Sequence, residues 1–249
     1  MSSSSLPARS WGLNRGEESF LGPAVGMVTL AGCSAGCLHC YLGDAVAEPV
    51  PLTPAAFTRI GTDLRRRGAT CLYLVNPEGG PPAVLAKALA AFRAAEPDCP
   101  VVVKLGGHEP LGLAEILRPV TDAVSLDVKV FGDTEGRAWL RVPDYPDRAR
   151  AQARFWLDAL GWFEPRTARP SGLWLRHVVL PGQAAAWKAG LRDLLPGEKP
   201  PVWVTLSYRP FGMARTHPGL GRPLDREEKT AAMAAAEEMR REGNTVWLA

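Results

Sequence analysis

Six short apolar runs, each followed by a stretch with helical periodicity, constrain this chain more than any other feature. The runs are Val25–Leu30, Cys71–Val75, Val101–Leu105, Ala123–Val128, Leu173–Leu180 and Val202–Leu206. They are near-continuously hydrophobic rather than alternating, the pattern of strands covered on both faces in a parallel sheet. Between them the period changes to helical. Thr53-Pro54 is a start signal for a helix carrying Phe57, Ile60 and Leu64 on one face, with Gly68 as its stop. Helices are expected over Ala83–Ala95, Leu111–Leu117, Pro146–Leu160, Ala184–Leu195 and Asp225–Glu242, and Thr245–Leu248 adds a last short strand. Right-handed crossovers curl such a sheet toward a barrel. The expected fold is α/β, a partial (βα)6 TIM-like barrel in one domain of residues 25–249, preceded by an N-terminal extension of residues 1–24. Glu164–Gly172 reads as a surface loop within that domain.

Composition narrows the setting. The chain has 249 residues, 46% of them hydrophobic, which is enough apolar surface for a sizeable core. The formal net charge of +3 comes from dispersed Lys and Arg rather than a block, so no nucleic-acid partner is expected. No run of about 18 apolar residues exists to span a membrane, and the first twenty residues lack a signal-peptide core. The expectation is a cytoplasmic protein with no membrane partner.

In parallel α/β folds the chemistry gathers where strands end. The first strand runs into Cys33, Cys37 and Cys40 at C-x3-C-x2-C spacing, with Gly32, Gly36 and Gly43 easing the turns. Five cysteines, three of them clustered, do not make a disulfide framework in a chain this long; they point to metal ligation. A closed zinc site normally takes four ligands, whereas an iron–sulfur cube held by three thiolates keeps one iron open. Only Cys71 and Cys99 remain beyond the triplet, so a second cluster is not expected.

The triplet after a first strand resembles the signature of the radical S-adenosylmethionine (SAM) superfamily, and four further stretches resemble the pyruvate formate-lyase activating enzymes and their relatives. "NPEGGPP" (Asn76–Pro82) resembles the family's GGE-type loop, and "SLDVK" (Ser125–Lys129) its D-x-K motif. "LWLRHVVLPG" (Leu173–Gly182) is similar to its R-x-V-V-x-P-G strand, and "SYRPFGMARTH" (Ser207–His217) stands where the family has a Tyr and a glycine before its last helix. The resemblance runs from about Val25 to the end of the chain.

The resemblance implies a [4Fe–4S] cluster on Cys33, Cys37 and Cys40 with SAM chelated at the open iron. It implies that Gly79 and Gly80 admit the methionine end of SAM, that Asp127 and Lys129 orient ribose and carboxylate, and that Arg176 pairs with the carboxylate. His39 and Tyr41 would stack near the adenine, and Tyr208 and Arg209 would line the substrate side. His108 and His217 are rim residues with a structural role as the simpler reading.

Three departures from the pattern stand out. His39 replaces an aromatic residue, Pro81 replaces the acid of the GGE loop, and Lys104 stands where activating enzymes can carry an acid for a monovalent cation. A fixed ammonium beside Asp127 would supply the cation's charge covalently. The implied function is a glycyl-radical activase, served by a flavodoxin- or ferredoxin-type electron donor. The alternatives are a radical SAM enzyme acting on a peptide or small metabolite, and a non-catalytic metal-binding regulator.

Overall fold

The computed structural model describes residues 4–16, 18–44, 48–165 and 169–249. Its strands are β1 (Leu6–Asn14), β2 (Val25–Leu30), β3 (Val50–Leu52), β4 (Leu72–Val75), β5 (Val101–Leu105), β6 (Ala123–Asp127), β7 (Gly172–Val178), β8 (Val202–Thr205) and β9 (Val246–Leu248). They form one open sheet in the order β3-β1-β2-β4-β5-β6-β7-β8-β9. From β2 to β9 every neighbouring pair is parallel, while β1 runs antiparallel to both β2 and β3.

The helices are α1 (Pro54–Arg66), α2 (Pro82–Ala95), α3 (Leu111–Leu117), the single turn α4 (Asp133–Glu135), α5 (Tyr145–Leu160), α6 (Trp187–Leu194) and α7 (Arg226–Arg241). All but α4 serve as crossovers between successive parallel strands. The expected six βα units are therefore present, with β9 as a seventh parallel strand and the sheet left unclosed. Thr53 caps α1 as anticipated, its hydroxyl accepting from the Ala56 amide at 3.2 Å. Asp225 and Glu228 form a reciprocal capping box at the start of α7.

The segment ahead of the expected core joins the sheet: residues 6–14 form β1, which the sequence does not announce. Only its first three residues are buried, so no apolar run marks it. Pro7 pairs with Pro51 of β3, a pairing tolerated at a sheet margin where ladder donors are dispensable. Of the expected surface loop Glu164–Gly172, residues 166–168 lie outside the described residues, and Gly172 already belongs to β7. Among the described residues no helix is long and apolar enough to cross a membrane.

Alternation along the strands separates two cores. Leu72, Leu74, Val101, Val103, Val124, Leu126, Leu173, Leu175, Val202 and Val204 pack outward beneath the helices. Tyr73, Val102, Ala123, Trp174 and Trp203 face the barrel interior. The same parity carries the inner row on to Lys104, Ser125, Asp127, Arg176 and Thr205. The barrel interior is thus apolar at the start of the strands and charged at their ends. Phe20, on the Ser19–Leu21 turn, plugs the apolar end. Its ring lies 4.4 Å from Trp247, 4.7 Å from Phe163 and 5.3 Å from Trp174, centroid to centroid.

Candidate active site

At the charged end of the barrel, Lys129 Nζ donates to Asp127 Oδ2 at 2.7 Å. Arg176, paired in register with Asp127, places Nη1 3.1 Å from Glu18 Oε1 and Nε 3.9 Å from Asp127 Oδ1. Burial pushes the Asp127 carboxyl up, but Lys129, Lys104 and Arg176 outweigh it and hold the group well below the usual carboxylate range. Burial likewise pulls Lys129 down, and Asp127 more than reverses it, so both stay charged at neutral pH. The Tyr145 hydroxyl ties these strand ends to α5. It accepts from the Lys129 amide at 2.8 Å and faces the carbonyls of Gly106 and Asp127 at 2.9 and 2.8 Å.

The cysteine loop is suspended between neighbours by its backbone. Gly36 and Leu38 donate to the carbonyls of Leu140 and Trp139, both at 2.8 Å, and the Leu38 carbonyl accepts from Ala214 at 2.8 Å. At the loop's start, Ser34 donates to Glu78 from both its amide (3.0 Å) and its hydroxyl (2.9 Å). Glu78 is also bonded to His108 Nε2 at 2.7 Å, and that same nitrogen lies 3.5 Å from Cys33 Sγ. Burial lowers the His108 pKa, yet Cys33 and Glu78 outweigh it and raise the group to about 10. Cys33, Glu78 and His108 thus offer ligand atoms within 4.8 Å of one another.

Gly79 explains the glycine pair after β4. A Cβ there would stand 2.1 Å from the Ala31 carbonyl oxygen, and Gly32, at φ +98°, faces Gly79 in turn. This backbone-on-backbone contact seats the cysteine loop on the β4 loop. Gly79→Ala is accordingly expected to displace the cysteine loop while leaving secondary structure intact, read as a severalfold change in the rate at which its thiols react with an alkylating reagent, against far-ultraviolet circular dichroism.

A cavity of about 580 Å³ opens over the strand ends, and Cys33, Cys37 and Cys40 all line it. So do His39, Tyr41, Lys104, Asp127, Lys129, Arg176, Tyr208 and Arg209, the residues singled out from the sequence. Gly79 and Gly80 lie outside the lining, the second packed toward Leu6, Pro7 and Leu30; Asn76 lines the cavity from the same loop. His108 is buried and faces the cavity, whereas His217 accepts from the Gly219 and Leu220 amides and shapes its own turn. Sequence reasoning misses Arg9, Thr205 and Phe211 in the lining. Strand parity could have found Thr205; no local signal marks Arg9.

The residues present fit a thiolate-held cluster and a polar ligand beside it. Three free thiols share one loop and one cavity, while Cys71 and Cys99 are buried elsewhere. Burial pushes the Cys37 thiol up to about 11, so at neutral pH a metal must displace its proton. Asp127 Oδ1, Thr205 Oγ1 and His39 Nδ1 belong to lining residues, are buried, and lack hydrogen-bond partners among the described residues. Each of these atoms is available to a polar ligand or to ordered water. Burial and the Lys129 charge lower His39 to about 4, leaving a neutral imidazole 6.4 Å from the Tyr208 ring.

An open, mostly parallel α/β barrel with a three-cysteine loop at its charged end is the class that fold and cavity define. Comparison with protein-family models and with curated protein sequences finds no match. Solved structures do match. SuiB from Streptococcus suis superposes with a TM-score of 0.57, and SuiB bound to S-adenosylmethionine with 0.59, each at 14% identity over 87% of this chain. A cysteine-to-serine mutant of spore photoproduct lyase gives 0.60 at 14% identity over 96% of this chain and 79% of its own. The chain spans just under half of SuiB, 46–47%. At this identity the likeness establishes a shared fold, the partial barrel expected from the strand–helix alternation.

Proposed function

We propose that the chain is a radical SAM enzyme that holds a [4Fe–4S] cluster on Cys33, Cys37 and Cys40 and binds SAM in the adjoining cavity. The observation that carries this reading is the convergence of three thiols from one loop on a cavity floored by Asp127, Lys129 and Arg176. When bound, the reduced cluster supplies the electron that splits SAM into methionine and a 5′-deoxyadenosyl radical able to abstract hydrogen. Arg176 offers a planar guanidinium to the SAM carboxylate. Asp127 Oδ1, which lacks a hydrogen-bond donor among the described residues, accepts from an ammonium or ribose hydroxyl, and Thr205 Oγ1 serves the same ligand. His39 and Tyr208 provide flat surfaces near the cluster loop, and the barrel walls exclude water from the reacting atoms.

Within that class the motif order favours a glycyl-radical activase, fed by a flavodoxin- or ferredoxin-type donor. Exposed Tyr41 and Phe211 at the cavity wall, with Met213 two positions on, would receive a protein loop. A second reading, a peptide or small-metabolite substrate, draws on Lys104 and Arg209. Both line the cavity, and among the described residues neither has an acidic partner within salt-bridge distance, which suits an anionic substrate.

Anaerobically reconstituted protein given dithionite and SAM is expected to yield 5′-deoxyadenosine. A colourless, zinc-loaded protein that leaves SAM intact would instead identify a metal-binding regulator. A doublet radical signal on a co-incubated protein selects the activase, and product formation without one selects the metabolite enzyme. Because Lys104 already acts electrostatically on Asp127, cleavage by the native protein is expected to be insensitive to potassium. Lys104→Ala should introduce a potassium requirement, seen as a severalfold rise in rate between potassium-free and potassium-containing buffer.

A further inference from the structure

His108 stands in the loop after β5, and the proposed chemistry gives it no task. It is 3% exposed and lines the cavity. The backbone around it is firmly held. Glu109 accepts from the Gly106 and Gly107 amides at 2.6 and 2.9 Å. From α5, Gln152 donates to the Glu109 carbonyl at 2.8 Å and Arg148 to the His108 carbonyl at 3.4 Å. The imidazole lies close over Gly106, where a Cβ would stand 2.7 Å from two of its ring atoms. Such support fixes a side chain's direction in the way that outer-shell partners of metal sites are fixed.

Its Nε2 faces two acceptors. Glu78 Oε1 is 2.7 Å away and Cys33 Sγ 3.5 Å away. Glu78 also accepts from the Ser34 amide and hydroxyl. An ionised carboxylate has no proton to give, so Nε2 must carry one. The opposite tautomer would aim a lone pair at the carboxylate. It would also leave an N–H at Nδ1, which is buried and has no hydrogen-bond partner among the described residues. The Nε2 proton is thus shared between the Glu78 oxygen and the Cys33 sulfur, as a three-centre bond. Through Ser34, the same carboxylate holds the backbone next to Cys33. Ring and sulfur are therefore set against one another by a partner they have in common.

We propose that His108 is a positioning residue for the cluster: its Nε2–H, fixed by Glu78, donates to the Cys33 sulfur and raises the potential at which the cluster accepts its electron. The proposal rests on the cluster-binding reading above. Reduction adds negative charge to the cluster and its thiolates. A donor aimed at one of those sulfurs stabilises the reduced form more than the oxidised one. One electron enters from the donor protein or from dithionite, and the Nε2 proton stays on the ring.

The test has two parts. The first uses metal-free protein labelled with nitrogen-15 at its four histidines, with the His108 signals assigned by their loss in His108→Gln. Long-range proton–nitrogen spectra are expected to show Nε2 protonated. A ring protonated at Nδ1 alone would overturn the proposal before any cluster is built. The second part is a redox titration of the reconstituted protein without SAM, followed by the paramagnetic signal of the reduced cluster. At the potential where the native cluster is half reduced, His108→Leu is expected to be reduced severalfold less. His108→Gln, whose amide can still donate, should fall between the two. A native midpoint in His108→Leu would overturn the proposal, and so would equal shifts in both variants, which would mean lost packing rather than a lost donor. If His108→Gln takes up a cluster and His108→Leu does not, the donor is needed and the proposal stands; if neither does, His108 serves folding or ligation and the proposal falls. Native protein that takes up no cluster would strike the underlying functional reading, and this proposal with it. That failure is told apart because it appears before any variant is compared.

Discussion

Cys37→Ala is expected to abolish SAM cleavage, with at least about a thousandfold loss of 5′-deoxyadenosine formation, well beyond the ~10–100-fold that outer-shell partners of a metal site are worth. The expectation follows from ligand count. Three thiols line the cavity, Cys71 and Cys99 lie buried elsewhere, and no further cysteine exists to replace a lost ligand. Burial raises the Cys37 pKa to about 11, so at neutral pH this thiol would ionise only on ligating a metal. Iron and sulfide content and the visible absorption of the reconstituted protein provide the check. Retention of a full cluster with undiminished cleavage in this variant would remove Cys37 from the site and the proposed mechanism with it.

Lys129→Met is expected to cost about 2 kcal/mol of stability and to eliminate productive SAM binding. Breaking a buried pair from one side leaves an uncompensated charge, ordinarily a loss of about 3–5 kcal/mol. Two factors reduce that figure here. The paired side chains retain 21% and 18% exposure, and Lys104 and Arg176 still act on the carboxylate. Urea titration should therefore show a lower midpoint with an unchanged slope. The pH dependence has a definite sign. Asp127's carboxyl is held below its unfolded value of 3.8, so the pair's contribution is present above that pH and is lost as the pH falls toward the folded value. The difference between native protein and variant should be constant near neutrality and shrink in strong acid. A midpoint identical to the native one at pH 7 would show that the pair contributes nothing net.

Much of this architecture is legible in the amino-acid order. The parallel strands are nearly continuous apolar runs because both faces are covered, and the six runs lie within two residues of the observed strand bounds. The three cysteines are legible because their spacing is local: a loop of eight residues presents them together whatever the rest of the chain does. Lys104, Asp127 and Arg176 are legible as strand-end polar residues interrupting apolar runs, and all three face the cavity.

Other features leave no local trace. β1 reads as a mixed polar segment because only one end of it is buried, so its place beside β2 depends on a pairing partner rather than on its own composition. The glycine pair after β4 reads in sequence as a ligand contact, and nothing local announces that Gly79 also sits against Gly32 and accommodates its backbone. Glu78, next to it, is engaged by Ser34 and His108, an arrangement built from three loops separated by 44 and 30 positions.

The amino-acid order by itself determined the layering, the places of the six crossover helices with the Thr53 cap, and the thiol triplet, because hydrophobic periodicity, capping and short-range ligand spacing are properties of neighbouring residues. Only the tertiary structure decided which charges meet. Glu18 joins Arg176 across 158 positions, and Ser125, Trp174 and Tyr73 converge on it, because strand register and the inward plug bring together residues that no periodicity relates. Electrostatics in a barrel interior depends on distance and burial, and both are set by the curling of the sheet around its core.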